Sequence, residues 1–174
     1  MKDFLNTLYN SMPLFLDIEA TSGDYFAEII DFAIVDLDEN ILFNSKFKPE
    51  VKIFDPYAIS IHGITYKDLS KEQSFLIKAD HIKTIVFGKS LISYNAYSDA
   101  RYLSQTYKRY DINMPILIYC LANIYKHFSK LRQPISMKNL AKKLDIPAEE
   151  GYHRALSGAI CASRIFRKIY EQYR

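Results

Sequence analysis

The stretch Leu14-Phe15-Leu16-Asp17-Ile18-Glu19-Ala20-Thr21-Ser22-Gly23 constrains this chain more than any other. Leu14 to Leu16 is an apolar run of buried-strand character. It ends on two carboxylates one residue apart, ahead of a Thr-Ser-Gly turn. In a strand, residues i and i+2 face the same way, so Asp17 and Glu19 share one site. Two anions held that close repel, and a hard divalent cation such as Mg²⁺, which prefers carboxylate oxygens, would relieve them. A bare D-x-E is more often a solvated strand end with two surface acids, so the rest of the chain decides what the pair is for.

That remainder patterns as one α/β domain over residues 1–174, long enough to bury a sizeable core. Ala27 to Leu37 reads as a second strand, Asp38-Glu39-Asn40 as a hairpin-type turn, and Ile41 to Lys48 alternates as a third strand. Short turns between them predict an antiparallel meander. Residues 1–11 read as a short helical or irregular lead-in, and Pro49 and Pro56 bracket a loop that runs on to a tight bend at Gly63. Helical spacing follows over residues 66–71 and from a Ser74 cap to about Phe87. Leu91 to Tyr94 is a brief strand, Tyr97 to Tyr110 a helix, Ile116 to Tyr119 the last strand, and Leu121 to Lys130 a helix. Ser136 caps a helix through Leu144. The final helix, Ala155 to about Tyr170, carries Ala155, Ala159, Ala162, Ile165, Phe166 and Ile169 as its packing stripe.

Composition excludes several classes. Hydrophobic residues at 49% against 25% charged rule out a disordered chain. The two cysteines, Cys120 and Cys161, form no C-x-x-C or Cys/His spacing, which predicts buried free thiols in a reducing compartment. No apolar leader core and no run near 18 apolar residues is present, so the expectation is a cytoplasmic protein with no membrane partner. A net charge of +3 is too mild to prove a nucleic-acid partner, although a basic face could be hidden in that sum. Fourteen Tyr and eleven Phe offer stacking surfaces for bases, most of which are expected to pack in the core.

Three further stretches bear on Asp17 and Glu19. Ser93-Tyr94-Asn95-Ala96-Tyr97-Ser98-Asp99 sets a carboxylate just past a strand, Ile61-His62-Gly63-Ile64-Thr65 forms a bend, and Tyr152-His153-Arg154-Ala155-Leu156 sets a histidine just ahead of the last helix. In this order and spacing the chain resembles the DEDDh 3′–5′ exonucleases, the group of polymerase proofreading subunits, exonuclease X and oligoribonuclease. The resemblance runs from Leu14 to about Ile169 through D-I-E-A-T-S-G, I-H-G-I-T, Y-N-A-x-x-D and H-R-A-L. It implies a ribonuclease H-like fold: a mixed five-stranded sheet with an antiparallel flank of three strands, covered by helices. It also implies two ions per site, Mg²⁺ or Mn²⁺, with Asp17 bridging both, Glu19 holding the one that activates water, and Asp99 supporting the other. His153 would be the general base, a role that suits an imidazole near neutral pH. The partner would be the single-stranded 3′ end of a nucleic acid, and the resemblance allows a homodimer. Thr21, His62, Asn95 and Arg154 fall at the substrate in the family. For His62 packing is an equal reading, and for Asn95 so is bracing of the Asp99 turn. Lys138, Lys142 and Lys143 read most simply as a solvated helix face, with a phosphate-contacting patch the lesser reading.

One departure matters. The family pattern H-x-A-x-x-D places a fourth acidic ligand five residues after the histidine, and here that position is Gly158. No Asp or Glu occurs from Gly151 to Tyr170 to replace it. Glycine inside a helix costs about 1 kcal/mol relative to alanine, so helix stability does not explain it. Two readings follow: an exonuclease weakened at its metal site, or an inactive ribonuclease H-like module that binds nucleic acid or protein. Gly158→Asp is expected to restore the ligand and raise the rate.

Overall fold

The computed structural model describes residues 2–114, 117–147 and 154–174. The helix α1 (Lys2–Asn10) leads into β1 (Leu14–Ala20), β2 (Ile29–Val35) and β3 (Ile41–Lys46), the expected meander with slightly shorter strands. Two parallel strands complete the sheet, β4 (Leu91–Ser93) and β5 (Ile118–Cys120), in the order β3-β2-β1-β4-β5. The last strand starts two residues later than the sequence suggests, and Pro115 and Ile116 lie outside the described residues. This is the mixed five-stranded, helix-covered α/β architecture expected.

The period-2 alternation of β1 splits the core in two. Phe15 joins Ala33 and Val35 in packing against α1, α6 (Leu121–Phe128), α7 (Met137–Lys143) and α8 (Ala155–Tyr173). Leu14, Leu16 and Ile18 face the other way with Phe32 and Ile34, against α4 (Phe75–Val86) and α5 (Ala96–Arg109). Central β1 is therefore walled by helices on both faces, and only its C-terminal end opens outward. The small residues Ala155, Ala159 and Ala162 let α8 lie close across β1 and β2. At the far hairpin Glu39 pairs with Arg164 (2.7 Å) and with Arg167, pinning the β2–β3 turn to that helix.

One helix was not legible. Pro56 to His62 forms α2, read from the sequence as the end of a loop. Asp55 caps it by accepting from the Tyr57 N–H (2.8 Å), Pro56 fits its first turn, and Gly63 closes it with a positive φ of 65°. A short α3 (Tyr66–Leu69) follows, held by reciprocal Thr65 and Asp68 hydrogen bonds. Among the described residues no helix is long and apolar enough to cross a membrane.

Candidate functional site

The open end of β1 carries Asp17 and Glu19 on the face turned toward α8, as the two-residue period requires. A register shift between Glu19 and Ala20 ends the regular pairing there and lets the chain turn away. Asp99, in the first turn of α5, reaches the same point from the opposite helical layer. It is 4% exposed, accepts a hydrogen bond from Ser93 Oγ at the end of β4, and is further stabilised by the Ile18 backbone N–H. The three carboxylates predicted to act together thus come from β1 and α5 into one locus.

Their electrostatics show how closely they are held. Burial pushes Asp17 well above the ordinary carboxylate range, and the charges of Asp99, Glu19 and Asp31 push it further. Glu19 rises to about 7, from burial first and then from Asp31 and Asp99, with Arg154 opposing. Burial raises Asp99 to about 7 as well. Asp31 is the member the sequence reading missed. It lies directly across from Glu19 in the antiparallel register and accepts, at 3.4 Å, from the Ala155 N–H at the start of α8. Its only signal was a lone acid inside an apolar strand, and cross-strand register cannot be read locally.

Gly158 packs against this cluster. A Cβ built there would lie 2.2 Å from Asp17 Oδ2 and 2.5 Å from its Cγ. The space a side chain at 158 would take is therefore occupied by Asp17 itself, and a residue with a Cβ there requires Asp17 to turn. That corrects the simple expectation for Gly158→Asp: the new carboxylate needs Asp17 displaced first.

The substrate candidates divide. Thr21 is buried, its Oγ1 accepting from the Glu28 N–H (3.0 Å), while its carbonyl accepts from Asp55 N–H (3.0 Å). His62 is buried too: Nδ1 accepts from Ile64 N–H (3.0 Å), so the proton sits on Nε2, 3.2 Å from the Ala20 carbonyl. Both residues tie the end of β1 to α2. Asn95 is exposed and donates from Nδ2 to Ser98 Oγ (3.3 Å) within the turn that leads to Asp99, while Ser93 donates to the Asp99 carboxylate. Arg154 donates from Nη1 to the His62 carbonyl (2.8 Å) and remains the cation acting on Glu19. His153 lies outside the described residues, immediately before Arg154.

A cleft of about 920 Å³ opens beside the carboxylates, lined by Asp17, Glu19, Ile61, Gly158 and the α7 residues Met137, Lys138, Asn139 and Lys142. On the α5 side, Tyr25, Phe26 and Tyr97 are largely exposed. The loop of Tyr25 and Phe26 is fixed by Arg109, which pairs with buried Glu28 (3.1 Å) and donates to the Phe26 carbonyl (3.2 Å), and by Tyr102 donating to the Ser22 carbonyl (3.3 Å). Arg101 lies over the Tyr97 and Tyr102 rings.

Among the described residues no three His, Cys, Asp or Glu side chains stand ready to close round one metal ion. The donor chemistry nevertheless fits a hard cation. Asp17, Glu19 and Asp99 supply only carboxylate oxygens, each is pushed toward neutrality by burial, and Arg154 alone opposes that on Glu19.

The family model for exonucleases matches residues 14–166. The DNA polymerase III subunit epsilon of Pasteurella multocida is 24% identical over 165 residues, covering 89% of this chain and 65% of that protein. The chain thus spans under two thirds of that relative's length. The fold matches the nuclease domain of 3′hExo, a DEDDh family member bound to rAMP, with a TM-score of 0.75 at 20% identity over 92% of each chain. It also matches exonuclease X in complex with 5′-overhanging duplex DNA, with a TM-score of 0.68 at 23% identity over 92% of each chain. S. pombe Pop2p, in its Mg²⁺- and Mn²⁺-bound form, aligns with a TM-score of 0.67 at 17% identity, over 98% of this chain and 87% of that one.

Proposed function

The chain belongs to the exonuclease family, and from that premise we propose that it is a metal-dependent 3′–5′ exonuclease acting on single-stranded ends of DNA or short RNA. The observation carrying this reading is the convergence of Asp17, Glu19 and Asp99 beside an open cleft, in a site that pushes all three toward neutrality. Mg²⁺ or Mn²⁺ at these carboxylates would supply an activated water and stabilise the departing 3′ oxygen. Asp17 and Glu19 would hold the ion on the water side, and Asp99, fixed by Ser93, the ion on the leaving-group side. His153 would take the proton from the attacking water as the bond from phosphorus to the 3′ oxygen breaks. Tyr25, Phe26 and Tyr97 offer faces on which unpaired bases stack. Cys120 and Cys161, thiols with no disulfide among the described residues, suit a reducing, cytoplasmic setting.

Gly158 makes this a slow enzyme, limited by metal occupancy and not by acid–base chemistry. It also favours a second reading, a binding module without hydrolysis. The test uses a 5′-labelled single strand, as DNA and as RNA. Stepwise shortening from the 3′ end, faster in Mn²⁺ than in Mg²⁺ and abolished by Asp17→Ala, is expected, since Mn²⁺ binds a given oxygen site more tightly. No shortening in either metal by the wild type would leave the binding module standing.

A further inference from the structure

The cleft has a second wall that the motifs do not account for. Opposite Asp17 and Glu19 it is built by α7, whose Lys138 and Lys142 are one helical turn apart, exposed, and both in the cleft lining. Neighbouring Lys143 is turned elsewhere, its ammonium 5.6 Å from the Tyr125 ring centroid. The two cleft lysines make no ion pair among the described residues. Nor do they serve the carboxylates, since the cation acting on Glu19 is Arg154. Between the two walls the floor is apolar, formed by Ile61, Met137 and Ile146. A ligand suited to this cleft carries anions spaced along one side and flat apolar bodies on the other. The volume, about 920 Å³, lies toward the top of the roughly 300–1,000 Å³ of ligand clefts.

We propose that α7 is the backbone track for the strand: Lys138 and Lys142 hold successive phosphates of single-stranded nucleic acid, while its bases lie over Ile61 and Met137. This rests on the exonuclease reading and extends it, because it names a route into the site and makes recognition independent of base sequence. The lysines are positioning residues and touch no reacting atom.

The test measures binding of fluorescein-labelled oligothymidylate, and of oligouridylate, in Ca²⁺ across a salt series. Each single-strand phosphate contact contributes about 0.7 to the slope of log affinity against log salt. Lys138→Gln/Lys142→Gln should therefore flatten the slope by about 1.4. Between roughly 50 and 200 mM salt the wild type should lose about sevenfold more affinity than the double variant. Lys143→Gln should keep the wild-type slope. Both lysines are exposed, and an unchanged melting temperature of each variant certifies the fold. If the wild type binds and the double variant keeps its slope and affinity, α7 is not the track, and the exonuclease reading is untouched. If the wild type binds neither probe even at low salt, both ideas fall.

Discussion

Replacing Gly158 with alanine puts two effects of known sign against each other. Position 158 lies inside α8, where alanine is favoured over glycine by about 1 kcal/mol. The new Cβ, however, would sit 2.2 Å from Asp17 Oδ2 and 2.5 Å from its Cγ, whereas ordinary contact begins near 3.4 Å. Overpacking of that kind costs about 1–3 kcal/mol. The expected net result is a loss of up to about 2 kcal/mol. In an Asp17→Ala background the two offending atoms are gone and only a Cβ at 3.1 Å remains, so the same substitution should be neutral or stabilising. A double-mutant cycle by urea or thermal unfolding, in EDTA, should give a coupling near 2 kcal/mol, within the range for residues in contact. If Gly158→Ala stabilises both backgrounds by the same 1 kcal/mol or so, helix propensity alone governs the site. The idea that Asp17 occupies the vacated space would then be wrong.

Other outcomes follow from the same geometry. Folding raises Glu19 from 4.5 to about 7, so its contribution to stability is present below about pH 4 and lost as pH rises through about 7. Glu19→Gln should accordingly raise the metal-free melting temperature at pH 8, by at most about 3 kcal/mol in stability, and do little at pH 4. A wild-type protein whose metal-free stability does not fall between those pH values would contradict this. Phe26→Ala or Tyr97→Ala should weaken oligonucleotide binding by about 1–3 kcal/mol, measured by fluorescence titration. Glu28→Ala strands Arg109 and removes the acceptor of the Glu50 and Val51 N–H groups, so unfolding should show a loss of about 3–5 kcal/mol.

What could be read from the sequence was local. The apolar run ending in D-x-E located β1 and the shared face of Asp17 and Glu19, and the alanine stripe located α8. Register was not local: Asp31 faces Glu19 only because β2 folds back with one pairing and not its neighbour. Helix α2 was hidden because Pro56 reads as a loop residue as readily as a first-turn residue, and only the Asp55 cap decides between them. Likewise Lys138, Lys142 and Lys143 look alike in a line of text. The rotation of α7, set by burial of Leu140 and Ala141, sends two into the cleft and one to Tyr125. Thr21 and His62, alike in the motifs, are held by backbone partners that only the tertiary fold brings to them.

The same electrostatics bear on whether the site is in use. Asp17, Glu19 and Asp99 each carry a raised pKa, so at neutral pH the metal-free fold is destabilised by holding them together. Asp31 adds to that repulsion on both β1 carboxylates, and Arg154 offsets it only in part at Glu19. A domain that merely presents a surface gains nothing from such a cluster, and any one of the acids could become an amide with a gain in stability. Stability is commonly given up where a function needs the strained arrangement. Gly158 is different in kind: without a side chain it leaves Asp17 room against α8. The remaining acids, Ser93 behind Asp99 and Arg154 beside Glu19 still form a built site. That combination favours the proposed exonuclease over a relic.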